Sequence, residues 1–127
     1  MSITKDIKRH ETETYDILRQ RQEEIIDVVF PTDYNFTICI DPYDFDEVIF
    51  EQSSIKLKYD FTCYCWSEHN RSPEIVEVKN EEGRSITYRD CIQRLIDVGF
   101  DTGCNHCWLE KFGDIDKDGC SEIWMGS

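Results

Sequence analysis

At 127 residues the chain fits one domain, 1–127, with a modest core. Apolar residues at 39% and aromatics at 13% set aside a disordered tail. A formal charge of −13 argues against direct docking on nucleic acid or anionic membrane, because phosphate neutralisation takes Lys and Arg. No apolar run approaches the ~18 residues of a membrane span, and the first ten residues hold no apolar leader core. A cytoplasmic location is therefore expected. Seven cysteines is an odd count, and a reducing compartment disfavours a disulfide framework. Metal binding and core packing remain as uses for the thiols.

Residues 3–30 read as one long helix. Ile7, Thr14, Ile17, Leu18, Ile25, Val28 and Val29 recur at three- and four-residue steps. Ser2 can cap the start, and Pro31 stops the helix because proline disfavours helical geometry in the residue before it. The C-terminal half is expected to pack and the N-terminal half to project, either alone or as a dimer seam. Monomer and homodimer both stay open.

Residues 34–80 read as strands. Tyr34, Phe36, Ile38 and Ile40 alternate with Asn35, Thr37 and Cys39. The 41–46 run is a turn, and 48–50 opens a second strand. In 54–66 the residues Ile55, Leu57, Tyr59, Phe61, Cys63 and Cys65 share one face. A polar loop with His69 follows, then a strand at 74–79 and a turn at 81–84. Residues 87–98 form a second helix. Thr87 and Asp90 make a capping box, Ile86 and Cys91 a hydrophobic staple, and Gly99 with Phe100 the C-terminal cap. Residues 104–126 hold a Cys-x-x-Cys turn and two strands, 107–112 and 120–126. The expected fold is α+β, with an antiparallel sheet of about four to six strands, a C-terminal hairpin and a zinc staple.

The staple is the one place where defined site chemistry shows. Cys104 and Cys107 form a two-ligand turn, and Cys63 and Cys65 project together from one strand. Four thiolates suit one structural, tetrahedral zinc per chain, and His106 or His69 can replace a cysteine. The same thiols can also be core residues or a redox pair. Catalysis is not expected. There is no His-Glu-x-x-His and no His-x-Glu with Pro-Cys-x-x-Cys, and four cysteine ligands leave no open position. Asp114-x-Asp116-x-Asp118-Gly119-x-x-Glu122 resembles the first half of a calcium loop. Met125 stands at position twelve, where an EF-hand places its bidentate glutamate, and the flanks alternate like strands. An acidic hairpin loop is the better expectation.

The charge is uneven. Residues 31–53 carry Asp33, Asp41, Asp44, Asp46, Glu47 and Glu51 without a Lys or Arg, and 101–127 hold six acids against Lys111 and Lys117. Such acids are a solvated surface or a dock for a basic partner. Asp41, Asp44, Asp46, Glu47, Glu51, Asp114, Asp116, Asp118 and Glu122 are the candidate contact residues. In its short, very acidic, single-domain design the chain resembles the small phage anti-CRISPR proteins that block type II effector nucleases. The cysteine pairs depart from most of that group. The resemblance implies an inhibitor that docks on a bacterial type II CRISPR nuclease and blocks DNA loading or cleavage, since such nucleases hold guide and target in basic channels. An endogenous zinc-stapled adaptor and a thiol redox protein are the alternatives.

Overall fold

A computed structural model describes residues 12–60, 73–103 and 106–126, and for 12–18 the backbone only. In chain order the elements are α1 (Thr12–Val29), β1 (Thr37–Ile38), a 3-10 turn (Pro42–Asp44), β2 (Val48–Phe50), β3 (Ser54–Tyr59), β4 (Glu74–Lys79), β5 (Ile86–Thr87), α2 (Tyr88–Asp97), β6 (Trp108–Ile115) and β7 (Cys120–Gly126). The class is α+β, as expected. A five-stranded sheet runs β1-β6-β7-β3-β4, and β2 with β5 forms a separate two-stranded ribbon.

The sheet is mixed, which corrects the expected antiparallel arrangement. β6 pairs antiparallel with β7 and β3 with β4, whereas β1 runs parallel to β6 and β3 parallel to β7. Parallel neighbours need long crossover connections. Here the chain passes through β4, β5 and α2 before the last hairpin returns to the middle of the sheet. Alternation along a strand shows which side is buried but not which strand lies beside it, so the insertion has no local signature.

The expected helix over 3–30 is not supported at that length. The described helix is the 18 residues of α1, and residues 3–11 lie outside the described residues. Its packed stripe is also shifted from the expected one. Val29 of the expected stripe packs against the core, but Val28 is 79% exposed, and Ile26 and Phe30 are buried instead. The reason is that Phe30 packs on Phe45 at 5.4 Å between ring centroids, which turns the Ile26–Phe30 step inward. The last helical turn is closed by the Phe30 N–H donating to the Ile26 carbonyl at 2.8 Å, immediately before Pro31.

α2 follows its local signals closely. The Asp90 N–H donates to Thr87 Oγ1 at 3.3 Å, and the Thr87 N–H donates to Asp90 Oδ2 at 3.0 Å. Gly99 takes φ +68°, which glycine adopts without a Cβ clash. The Phe100 and Gly99 N–H groups donate to the Leu95 and Ile96 carbonyls at 2.9 and 3.0 Å, a Schellman closure. Cys91, Ile92, Leu95 and Ile96 form the buried face, and Phe100 stacks edge-on against Tyr59 at 5.5 Å.

One face of the sheet makes the core. Ile55, Leu57, Tyr59, Val76, Val78, Leu109 and Ile123 are buried with the inner face of α2. Ile38 and Ile40 join them, so the alternation expected over 34–41 holds for burial, although only Thr37–Ile38 pairs as a strand. β6 runs to Ile115, beyond its expected end at 112. The register shifts between Phe112 and Ile115, and there the buried Ser121 hydroxyl donates to the Gly113 carbonyl at 2.6 Å. That bond supplies a partner at the irregularity. Leu57→Ala, at the centre of β3, is expected to destabilise by about 2–5 kcal/mol, and Val28→Ala by less than about 0.5 kcal/mol. Chemical denaturation of the two variants checks this, and equal losses would contradict the assigned core.

Candidate protein-binding surface

The directions of the strands sort the polar residues to opposite ends of the sheet. β1, β6 and β4 run toward one end, and β7 and β3 start from it. The segment after β1, the β6–β7 turn, the residues leading into β3 and the β4–β5 turn therefore share that end. The Lys56 N–H donates to the Gly119 carbonyl at 3.4 Å and the Asn80 N–H to the Ser53 carbonyl at 2.8 Å, which ties three of these segments together. The 41–51 segment, which links the end of β1 to the start of β3, and the 114–118 turn, far apart in sequence, thus flank the same end of the sheet, while Glu122 lies further along β7 opposite Lys58. Glu81 and Glu82 of the β4–β5 turn join them.

Within this end the acids have different duties. Asp41 Oδ1 accepts from the Tyr43 N–H at 3.0 Å and caps the 3-10 turn. Asp46 binds Arg89 at 2.9 and 3.3 Å. This two-point pair is solvent-exposed and adds little stability. The loop is docked by its backbone instead. The Arg89 and Tyr88 N–H groups donate to the Phe45 and Glu47 carbonyls at 2.8 and 3.3 Å. Asp44 and Glu47 are exposed beside Tyr88, whose hydroxyl pKa is raised by burial first and by those two carboxylates second. Glu51 is exposed, and its carbonyl accepts the Ser85 hydroxyl at 3.1 Å. Arg84 is taken up by Glu82 at 2.8 Å.

The 114–122 segment is a tight hairpin. Asp116 Oδ1 accepts from the Asp118 and Cys120 N–H groups at 2.8 and 3.0 Å, and Gly119 has φ +78°. These bonds, with Cys120 the larger, and the nearby Lys58 and Lys117 charges hold the Asp116 carboxyl below its ordinary range. Among the described residues no three His, Cys, Asp or Glu side chains are grouped to hold a metal ion. Asp114, Asp118 and Glu122 stay exposed. Glu122 sits beside Lys58 in the β3–β7 register.

A groove of ≈ 400 Å³ runs between α1 and the 34–42 segment. Ile26, Phe36, Ile38 and Tyr34 lie along it, and Glu23, Asp27, Asp41 and Arg19 carry its charge. Reading the sequence as blocks missed Glu23 and Asp27. The Arg19-Glu23-Asp27 spacing at four-residue steps was the available signal, since it puts all three on the face that carries Ile26.

At the opposite end of the sheet, Cys107 is the one expected thiol ligand among the described residues. Cys63, Cys65, Cys104 and His69 lie outside the described residues. Cys107 is half-buried at the entry to β6, and its carbonyl accepts the Thr37 N–H at 2.8 Å. His106 beside it is half-buried. β3 ends, and β6 begins, at this end. Cys91 is a core residue whose thiol pKa is pushed far up by burial, and Cys120 is buried at the start of β7. Among the described residues no helix is long and apolar enough to cross a membrane. No protein-family model, curated protein or solved structure matches the chain.

Asp116→Ala is expected to lower the melting temperature at pH 7 more than Asp114→Ala does. The folded-state pKa of Asp116 is depressed, so its contribution is present above the ordinary carboxylate value of about 3.9 and lost as pH falls through the folded-state value. The gap between the variants should close over that acidic interval in thermal scans. A gap that persists at the lowest pH would assign the loss to something other than the carboxylate.

Proposed function

We propose that this chain is a non-enzymatic protein-binding module that docks on a basic partner through the acidic end of its sheet. The observation that carries the reading is that the strand directions bring the 41–51 segment and the 114–118 turn to one end, with Asp44, Glu47, Asp114 and Asp118 exposed. Of the cations at that end, Arg84 and Arg89 are engaged by Glu82 and Asp46, and Lys117 stands exposed in the β6–β7 turn. A carboxylate-rich surface on a rigid strand scaffold steers and orients a basic partner more than it supplies raw affinity. On the resemblance to anti-CRISPR proteins, that partner is a type II CRISPR effector nuclease, whose basic nucleic-acid channel an acidic plug would occlude before target DNA loads.

The proposal includes one structural zinc at the other end. β3 and β6 are separated only by β7, so their adjoining ends lie about 10 Å apart across the sheet and are offset by roughly another 10 Å along β7, where Lys58 pairs with Glu122 and Trp108 with Gly126. Cys63 follows the last residue of β3 by four positions, a reach of up to ~14 Å, and Cys107 directly precedes β6. Zinc bound by Cys63, Cys65, Cys104 and Cys107 would fix the loop after β3 to the entry of the central hairpin, leaving the acidic end free. His106 is the substitute ligand closest in sequence.

Two outcomes follow from this reading. Elemental analysis should give one zinc per chain, lost in Cys107→Ser together with several kcal/mol of stability and retained in Cys39→Ser; metal-free wild-type protein would remove the zinc from the proposal. The triple variant Asp44→Lys, Glu47→Lys, Asp118→Lys should bind a type II effector nuclease at least about tenfold more weakly, with a flatter salt dependence in titrations at several ionic strengths. Unchanged affinity would move the contact away from this end.

A further inference from the structure

We infer that the groove between α1 and the outer edge of β1 receives an extended, arginine- or lysine-bearing segment of the basic partner as an added strand. The inference rests on the reading of the chain as a binder of basic proteins and names a second contact beyond the acidic end.

The backbone geometry comes first. β1 is the terminal strand of its sheet, and β6 is its only strand neighbour among the described residues. The Thr37 and Cys39 N–H groups donate to the Cys107 and Leu109 carbonyls at 2.8 and 2.9 Å. In an extended chain the intervening residues turn their peptide groups the other way. Ile38, the residue of β1 between them, therefore directs its peptide groups away from β6. The opposite edge of the sheet is managed differently. There α2 lies close to β4, and Arg94 Nε donates to the Glu77 carbonyl at 3.0 Å, occupying part of that edge. Along β1 a groove of ≈ 400 Å³ separates the strand segment from α1 instead. Recognition by strand addition draws affinity from main-chain hydrogen bonds and specificity from alternate side chains.

The lining selects the occupant. α1 runs antiparallel to the 34–40 segment, with Arg19 acting on Cys39 at one end and Asp27 on Tyr34 at the other. Glu23 lies between, 3.7 Å from Arg19, so the one cation among the groove's described residues is already matched. Asp27 and Asp41 carry the surplus negative charge. A guanidinium or ammonium beside Asp27 would also meet the ring of Tyr34, an arrangement that favours cations over neutral side chains. Ile26, Phe36 and Ile38 give the intervening side chains an apolar contact. A strand alternating cationic and apolar residues meets each of these requirements, and an acidic strand meets none of the electrostatic ones.

The test uses the full chain and a fluorescein-labelled peptide of alternating valine and arginine, read by anisotropy and by amide hydrogen exchange. Binding is expected, with slowed exchange at the Ile38 amide. Methylating the peptide's alternate backbone nitrogens keeps its charge but removes its strand bonds, and should weaken binding by about tenfold or more. Glu23→Gln with Asp27→Asn should weaken it comparably, and a valine–glutamate peptide should not bind. Equal binding of the methylated peptide, or unchanged exchange at Ile38, would overturn strand addition. The groove variant and the Asp44, Glu47, Asp118 reversal are then compared on the nuclease. Loss in the reversal alone overturns the groove contact and leaves the broader reading standing. Loss in neither overturns both.

Discussion

The insertion of the C-terminal hairpin into the middle of the sheet is the constraint on which the rest depends. β6 and β7 lie between β1 and β3, so the last residues of the chain hold together strands formed from its first half. Leu109, Ser121 and Leu57 are all fully buried along this junction. Without the hairpin, β1 would have no strand partner and β3–β4 would be a two-stranded piece, marginal on its own. Such non-local pairing carries a loop-closure cost before any contact forms, which places it late in assembly.

The same insertion distributes the charge. Because β7 runs parallel to β3 and antiparallel to β6, the β6–β7 turn and the entry to β3 come to one end, and the exit from β3 and the entry to β6 come to the other. One end collects carboxylates and the other is flanked in sequence by the cysteine pairs. Like charges so gathered repel one another and work against folding. Part of that repulsion is offset locally: Asp116 caps its own turn, Asp41 caps the 3-10 turn, and Asp46 and Glu82 hold arginines. Asp44, Glu47, Asp114 and Asp118 are exposed and are not engaged in this way, and they are the basis for a docking role.

Two edges of one sheet illustrate how a fold limits its contacts. β4 is guarded by Arg94 from α2, whereas β1 faces α1 across a groove with apolar lining and surplus carboxylate. An unguarded edge invites strand pairing. Charge in the groove narrows the invitation to cationic sequences.

Where one turn or one periodicity carries the signal, sequence alone determined the outcome. The capping box at Thr87 and Asp90, the Gly99–Phe100 closure, the alternation of Ile55, Leu57 and Tyr59, and the acidic hairpin around Gly119 are all set by residues a few positions apart. The α+β class follows from them. The stripe of α1 was less legible: Val29 packs as its spacing suggests, but Val28 is as apolar as Ile26 and only packing beside Phe45 selects between them. Which strands pair, the parallel register of β3 with β7, and the meeting of Glu23 and Asp27 with the 34–42 segment were decided by tertiary structure alone. Each joins residues distant in sequence, through hydrogen bonds and buried apolar area that no local pattern encodes.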